Sequence, residues 1–148
     1  MHIAYYSEGS GLKYAVENGG NWQISLIDEG EGTGLYCRLV LDREGSPHIA
    51  YWDSRGWVKY AHRSGQSWEI ETVDNCAGRC TLSLDPEGNP YLLYEGASPR
   101  GYLKLAFLRE NLWSILSLDS SGAYMASAIG ADNYLHVAYC TSNGNQLR

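Results

Sequence analysis

A short strand-like motif recurs along the chain at nearly constant spacing, and this periodicity restricts the possible folds more than any other feature. The copies are HIAYY, HIAYW, the less similar YLLYE and HVAYC, which begin at His2, His48, Tyr91 and His136. The steps between them are 46, 43 and 45 residues. A period of about 40–50 residues is typical of helical solenoids and of β-propellers.

The pattern within one period distinguishes these two architectures. Apolar residues alternate or run in short β-rich stretches bounded by Gly, Asn, Asp, Ser and Pro, and no stretch keeps helical spacing for three turns. One period contains four such stretches, at 35–42, 47–53, 57–62 and 67–74. The sequence therefore predicts an all-β fold, a β-propeller with four-stranded antiparallel blades of about 43–46 residues.

The periodicity divides the chain into roughly three and a quarter blades: a remnant at 1–33, blades at 34–77 and 78–121, and an incomplete blade at 122–148. Met1 aligns with Pro47, and Gln146 aligns with Trp57, so both ends fall within a blade. Closed propellers typically have four to eight blades. We therefore expect an excerpt of a larger propeller whose open strand edges pair with another copy, giving a homo-oligomer when this chain is expressed alone.

Charge and hydropathy exclude two classes of partner. Seventeen acidic residues against eleven Lys and Arg give a net charge of −6, and the basic residues are scattered. A nucleic-acid backbone is therefore not an expected partner. No apolar run approaches the roughly 18 residues of a membrane helix, so we expect no membrane insertion.

Four cysteines leave two interpretations open. Cys76 and Cys80 lie four residues apart, and they form either a tight disulfide or two ordinary thiols beside a turn. A zinc site needs a second pair at suitable spacing, and neither Cys37 nor Cys140 belongs to one. We predict neither a metal nor a cofactor.

Three segments carry a resemblance to a known family: LDREGSPHIAYWD at 41–53, VKYA at 58–61 and WEIETVD at 68–74. They resemble the sialidase-like or BNR-like propeller repeats of bacterial and archaeal secreted proteins. The resemblance implies a propeller of about six to eight blades, an extracellular or cell-surface location, and a recognition or scaffold role. The Asp-box of sialidases, Ser-x-Asp-x-Gly, is not reproduced, because residues 83–88 contain one residue too many.

Residues that recur from blade to blade are expected to have structural roles. A catalytic group is needed once per site, whereas His48 has counterparts in other blades. We therefore interpret these histidines as structural residues that fill the same position of their blades, and not as catalytic groups. The recurring lysines are interpreted as solvated strand residues, and the recurring tryptophans, which alternate with aliphatic residues, as packing between blades. These residues are Lys13, Lys59, Lys104, Trp22, Trp68 and Trp113.

A binding site should instead use positions at which the blades differ. Such positions occur at the starts of the innermost strands and in the loops after the second strands, which share one rim of a propeller. The predicted ligand-binding residues are Tyr36, Arg38, Trp52, Asp53, Arg79 and Glu95. No catalytic residue is predicted.

These observations favour a non-enzymatic recognition module that binds a glycan or a protein ligand at the rim. The arginines predict a polar or acidic ligand, because guanidinium groups pair with carboxylates in a bidentate manner. Two alternatives remain open: a sialidase-like glycoside hydrolase that uses a carboxylate pair, and a structural scaffold without its own ligand. A hydrolase requires a localised acid pair with a shifted pKa, whereas a binding module does not.

Overall fold

The computed structural model describes residues 1–97, 101–141 and 147–148, and their regular secondary structure is entirely β. The strands are β1 (His2–Ser7), β2 (Gly11–Asn18), β3 (Asn21–Glu29), β4 (Thr33–Leu41), β5 (Pro47–Asp53), β6 (Trp57–Ser64), β7 (Ser67–Leu84), β8 (Pro90–Gly96), β9 (Leu103–Arg109), β10 (Leu112–Asp119), β11 (Ala123–Ile129) and β12 (Leu135–Cys140). In this part of the chain no helix is long and apolar enough to cross a membrane. Gln146, which the sequence aligns with Trp57, lies outside the described residues.

Within each sheet, consecutive strands pair in antiparallel fashion, which confirms the all-β antiparallel prediction. They form a sheet of β1–β3, a seven-stranded sheet of β4–β10, and a two-stranded sheet of β11 and β12. Tight turns make this order possible. In the turn after β4, the amide of Gly45 donates to the carbonyl of Asp42, and Gly45 has a φ of 82°, which costs little without a Cβ.

The seven-stranded sheet is divided in the middle of β7. Residues 67–75 of β7 pair with β6, whereas residues 76–84 pair with β8, and the register shifts between Cys76 and Cys80. Such bulges bend a strand. We call β1–β3 the first meander, β4–β6 with residues 67–75 the second meander, residues 76–84 with β8–β10 the third meander, and β11–β12 the terminal hairpin.

Two buried clusters show that the meanders stack face to face. The cluster between the first and second meanders contains Leu12, Tyr14, Ile27, Ile49, Tyr51 and Ala61. The cluster between the second and third contains Ala50, Val58, Tyr60, Cys76, Cys80, Leu82, Leu92, Tyr94 and Ala106. Successive side chains of a strand point to opposite faces, and Ile49 and Ala50 accordingly belong to different clusters. The central strands of the second meander, β5 and β6, are therefore buried on both faces.

The tryptophans divide into two groups. Trp68 packs edge-on against Tyr14 at 5.2 Å between ring centroids, and Trp113 packs in the same way against Tyr60 at 5.5 Å. Both contacts join neighbouring meanders, as the alternation predicts. Trp22 differs: 46% of its surface is exposed, and its neighbours Ile24 and Leu26 are exposed as well. The prediction that Trp22 is packed is wrong for the described structure, because no described element covers that face of the first meander.

An aspartate at the end of each outermost strand ties one meander to the next. Asp28 accepts hydrogen bonds from the hydroxyl of Tyr51, at 2.7 Å, and from the ammonium of Lys59. Asp74 accepts from Tyr94 and Lys104, both at 2.7 Å, and Asp119 accepts from Tyr139 at 2.7 Å and Arg148 at 2.8 Å. We call each set of three residues a tether.

The tethers correct the interpretation of the lysines as solvated residues. The side chains of Lys59 and Lys104 are only 13% and 23% exposed, and each forms an ion pair with its aspartate. Burial by itself would raise the pKa of Asp74, but the hydrogen bonds from Lys104 and Tyr94 outweigh it and hold that pKa below its ordinary value. The carboxylate is therefore stabilised in its charged form at neutral pH.

The recurring histidine has a structural environment inside the second meander. His48 is buried, shares a hydrogen bond through Nδ1 with the Tyr60 hydroxyl, and places Nε2 3.5 Å from a carboxylate oxygen of Asp42. The ring of His62 stacks on it, with centroids 5.8 Å apart. Burial lowers the pKa of His48 below its ordinary value, and the partly opposing effect of Asp42 does not compensate for it.

We expect His48 to make the protein less stable as the pH falls. Its pKa is lower in the folded than in the unfolded chain, so the unfolded chain binds more protons near the ordinary value of about 6.5. The stabilisation is complete above that value and declines below it, by at most about 1.4 kcal/mol per pH unit. Urea unfolding at pH 8 and pH 5 should show a smaller loss for His48→Gln than for the wild type. Equal losses in the two proteins would contradict the prediction.

Candidate functional site

Three side chains occupy equivalent positions near the starts of β4, the second half of β7, and β11. Tyr36, Arg79 and Tyr124 are separated by 43 and 45 residues. In each case the pairing with the following strand shifts register nearby. Bulges of this kind redirect side chains and are common beside functional sites.

The backbone at Tyr36 and Tyr124 is strained in the same way. Tyr36 has a φ of 51° and Tyr124 a φ of 48°, in the left-handed region that side chains with a Cβ rarely adopt. Each such residue costs about 1 kcal/mol or more, and strain of this kind clusters at binding sites and active sites. Before Arg79 the chain uses Gly78, with a φ of 146°. The second meander and the terminal hairpin therefore each maintain a tyrosine in an unfavourable conformation at the same place.

The side chains lie in a row that runs from the second meander to the terminal hairpin. The rings of Trp52 and Tyr36 lie 6.0 Å apart. A Cβ added to Gly78 would lie 3.8 Å from Cε2 of Tyr36, so this ring lies beside the residue that precedes Arg79. The guanidinium carbon of Arg79 lies 4.4 Å from the centre of the Tyr124 ring, a cation–π contact. We call Trp52, Tyr36, Arg79 and Tyr124 the rim strip.

Tyr36, Arg79 and Tyr124 of the rim strip, and the neighbouring Arg38, are exposed, whereas Trp52 is half-buried, packs against the cluster between the second and third meanders and donates from Nε1 to the carbonyl of Cys76 at 3.2 Å. Tyr36 is 50% exposed and Tyr124 is 67% exposed, and both arginines are exposed. Arg38 donates one hydrogen bond, from Nη1 to the carbonyl of Cys37 at 3.1 Å. Among the described residues, neither Arg38 nor Arg79 forms an ion pair with a carboxylate. Their guanidinium groups thus present donors to solvent beside aromatic surfaces.

The two carboxylates predicted for the site have other environments. Asp53 is fully buried and accepts hydrogen bonds from the guanidinium and the amide of Arg55, which hold the pKa of Asp53 below its ordinary value. Glu95 lies against the loop at Gly101, where an added Cβ would be 2.2 Å from Oε1. Of the six predicted residues, the structure thus brings Tyr36, Trp52 and Arg79 into the rim strip, with Arg38 on the same strand as Tyr36.

Tyr124 completes the rim strip but was not among the predicted site residues. Its signal in the sequence was its position, since it aligns with Tyr36 and Arg79. The cation–π contact with Arg79 depends on the packing of β11 against β7 and has no local sequence signature.

All four cysteines are free thiols, so Cys76 and Cys80 do not form a disulfide in this structure. Burial raises the pKa of Cys76 to about 11, and it raises the pKa of Cys80 as well. The Cys80 thiol lies 3.8 Å from the carbonyl oxygen of Tyr36, to which it donates a weak hydrogen bond that supports the strained residue. The described residues contain no group of three or more metal-ligating side chains.

Comparison with known proteins found no family model and no curated protein that matches the chain.

Proposed function

We propose that the chain is a non-enzymatic recognition module of β-propeller architecture that binds a glycan or protein ligand across its rim. The rim strip is the observation that carries the proposal. It combines exposed aromatic rings, two arginines without carboxylate partners among the described residues, and two tyrosines in strained backbone conformations. A packing role alone does not account for strained residues whose side chains are half or more exposed.

The propeller architecture is supported by the way the meanders stack. Each four-stranded meander is antiparallel, both faces of the second meander are buried at β5 and β6, and three tethers join successive units through an aspartate and a tyrosine. Sheets stacked face to face in this manner are the units of a propeller. The described sheets form an open series, and in the proposed architecture further units complete the ring.

The chemistry of the rim strip favours a ligand that carries carboxylates. A guanidinium group binds a carboxylate through two parallel hydrogen bonds, which supply both energy and direction. The faces of Tyr36 and Tyr124 provide flat apolar surfaces with a polar edge, which suits stacking against a sugar ring. An acidic glycan uses both features, and an acidic protein segment is the second candidate ligand.

The positions of the carboxylates favour binding over hydrolysis. A glycoside hydrolase of the usual type uses a protonated carboxylic acid facing a second carboxylate across the substrate. Asp53 is buried, already paired with Arg55, and has a lowered pKa, which is the opposite of what a general acid requires. The hydrolase alternative would therefore need a carboxylate pair from elsewhere.

The proposal predicts that Arg38 and Arg79 together carry the affinity for the ligand. The probe is the acidic glycan that binds best on a glycan array, screened in parallel with a panel of chromogenic glycosides. Changing both arginines to alanine should weaken its binding at least about 100-fold, since each lost charged hydrogen bond contributes about 1.5–3 kcal/mol. Titration calorimetry measures the loss.

Arg43→Ala is the control for the loss of an arginine, because it removes one guanidinium group from an exposed turn outside the rim strip, whereas the double variant removes two. It should bind as the wild type does, and the double variant should keep the wild-type urea midpoint. Unchanged affinity in the double variant would remove these arginines from the site. Turnover of a glycoside would favour the hydrolase, and the absence of both binding and turnover would favour the scaffold.

A further inference from the structure

The first meander has an open edge and an open face. Among the described residues, β1 pairs with no strand other than β2, and on its other edge the carbonyl of Ala4 accepts a weak hydrogen bond from the Cys37 thiol at 3.4 Å, so that edge has no strand partner. On the same meander Trp22 is 46% exposed, Ile24 is 62% exposed and Leu26 is 47% exposed. The equivalent tryptophans, Trp68 and Trp113, are packed against a neighbouring meander.

The same meander holds two tether residues that have no aspartate. Tyr5 pairs with Lys13 across β1 and β2, as Tyr51 pairs with Lys59 across β5 and β6. The second pair binds Asp28, but no described carboxylate lies at the first, where Lys13 donates to the hydroxyl of Ser7 at 3.1 Å. By analogy with the other tethers, the group that binds Tyr5 and Lys13 should be an aspartate at the end of a strand.

Asp119 supplies such a strand end at the other side of the molecule. It is held by Tyr139 of β12 and by Arg148, the counterparts of Tyr5 and Lys13. Arg148 is 53% exposed, in contrast to the buried lysines of the other two tethers. The aspartate is thus bound by a more open version of the same tether.

The strand β12 that provides Tyr139 is itself weakly embedded. Among the described residues it pairs along its length with β11, and its other edge meets the chain only at the bridge between Cys140 and Leu147 and at two backbone hydrogen bonds between Tyr139 and Arg148. Its sequence HVAYC closely matches HIAYY of β1, so β1 can take the same register on β11. Ala4 then stands opposite Ala126, where Ala138 stands now; four of the five exchanged residues are identical or similar, and the fifth replaces Cys140 with Tyr6.

We propose that the first meander of one copy docks on the third meander of a second copy by replacing β12 on β11. Tyr5 and Lys13 of one copy then bind Asp119 of the other and reproduce the tether of Asp74. Trp22 covers the surface near Leu105 and Leu116, which pair across β9 and β10; Leu116 is 50% exposed. A two-fold axis forms both contacts at once, so the assembly closes as a dimer.

The dimer contact is additional to the proposed ligand site, and it defines an interface for the oligomer that is expected from the sequence.

The contact uses one cation and one anion per interface, so charge reversal tests it directly. Light scattering after size exclusion should show a dimer for the wild type. Lys13→Glu places two carboxylates together at each interface, and Asp119→Lys places two ammonium groups together. Each variant alone should raise the dimer dissociation constant at least about 30-fold.

The decisive measurement is the mixture of the two variants. In that mixture one interface pairs Lys13 with Asp119, and the other pairs the substituted glutamate with the substituted lysine. A heterodimer should therefore form from two proteins that are each monomeric, and its formation shows that both variants are folded. Arg43→Glu, the same charge reversal on an exposed turn, is the control and should leave the dimer unchanged.

Three results would overturn the proposal. The first is a wild type that stays monomeric up to its solubility limit, which would leave the open face to a further unit of a longer chain or another partner. The second is a dimer that is insensitive to Lys13→Glu. The third is a mixture that remains monomeric although both variants keep the wild-type circular dichroism spectrum.

Discussion

Replacing Asp74 with alanine should lower the free energy of unfolding by about 3–5 kcal/mol. The substitution removes the acceptor of two hydrogen bonds that join the second meander to the third, from Tyr94 and Lys104. The ammonium of Lys104, with 23% of its side chain exposed, then lacks its counterion. A buried charge left without its partner costs more than the intact pair contributes, so the loss should be large. Urea unfolding followed by circular dichroism measures it.

Two features of the same experiment separate the tether from a general charge effect. Glu87→Ala removes one carboxylate from an exposed turn and should leave the unfolding midpoint unchanged. In addition, the pKa of Asp74 is lowered in the folded protein, so its stabilisation is present above the ordinary value of about 4 and is lost as the pH falls through the folded value. The difference between wild type and Asp74→Ala should shrink in that range. A difference that does not depend on pH would argue against the ion pair.

Replacing Tyr60 with alanine should destabilise the protein by about 3–5 kcal/mol. Its side chain is 2% exposed and lies in the cluster between the second and third meanders, where Trp113 packs edge-on against its ring. Truncation leaves a cavity between two sheets and removes the hydroxyl partner of His48. Both losses arise at Tyr60, so we expect a single unfolding transition whose midpoint lies at a lower urea concentration than that of the wild type.

Tyr60→Phe separates the two contributions. It keeps the ring and its contact with Trp113 but removes the hydroxyl, so Nδ1 of His48 loses its partner. We expect this variant to cost about 1–2 kcal/mol, the usual cost of one unsatisfied buried group. If Tyr60→Phe is as destabilising as Tyr60→Ala, packing against Trp113 contributes little and our account of the interface is wrong.

The part of the fold that depends on local pattern could be predicted from the sequence. The strands β5 and β6 lie where alternation and turn residues indicate them, and the turn at Gly45 has the positive φ that its glycine permits. The prediction of a strand that ends near residue 74 was incomplete, because β7 continues to Leu84 through a bulge. Bulges depend on the pairing of both neighbouring strands, which alternation along one strand does not report.

The candidate site was predictable only in part. Comparing unlike residues at equivalent positions identified Tyr36, Arg38 and Arg79, because position along the period determines which end of a strand they occupy. The same comparison did not indicate that Asp53 would be enclosed by Arg55, or that Tyr124 would lie against Arg79. Those contacts depend on rotamers and on the distance between meanders, which the one-dimensional spacing does not contain.

The sequence by itself determined the all-β character of the chain, its four-strand units and the period that relates them, because hydrophobic alternation and turn residues act between near neighbours. The tertiary structure alone decided which recurring residues find a partner: Lys59 and Lys104 pair with aspartates of the adjoining meander, whereas Lys13 has no described carboxylate partner and Trp22 is exposed. These differences arise between sheets that are far apart along the chain. The free energy of such a contact depends on what lies opposite a side chain, and identical local sequences can therefore have buried and exposed copies in one molecule.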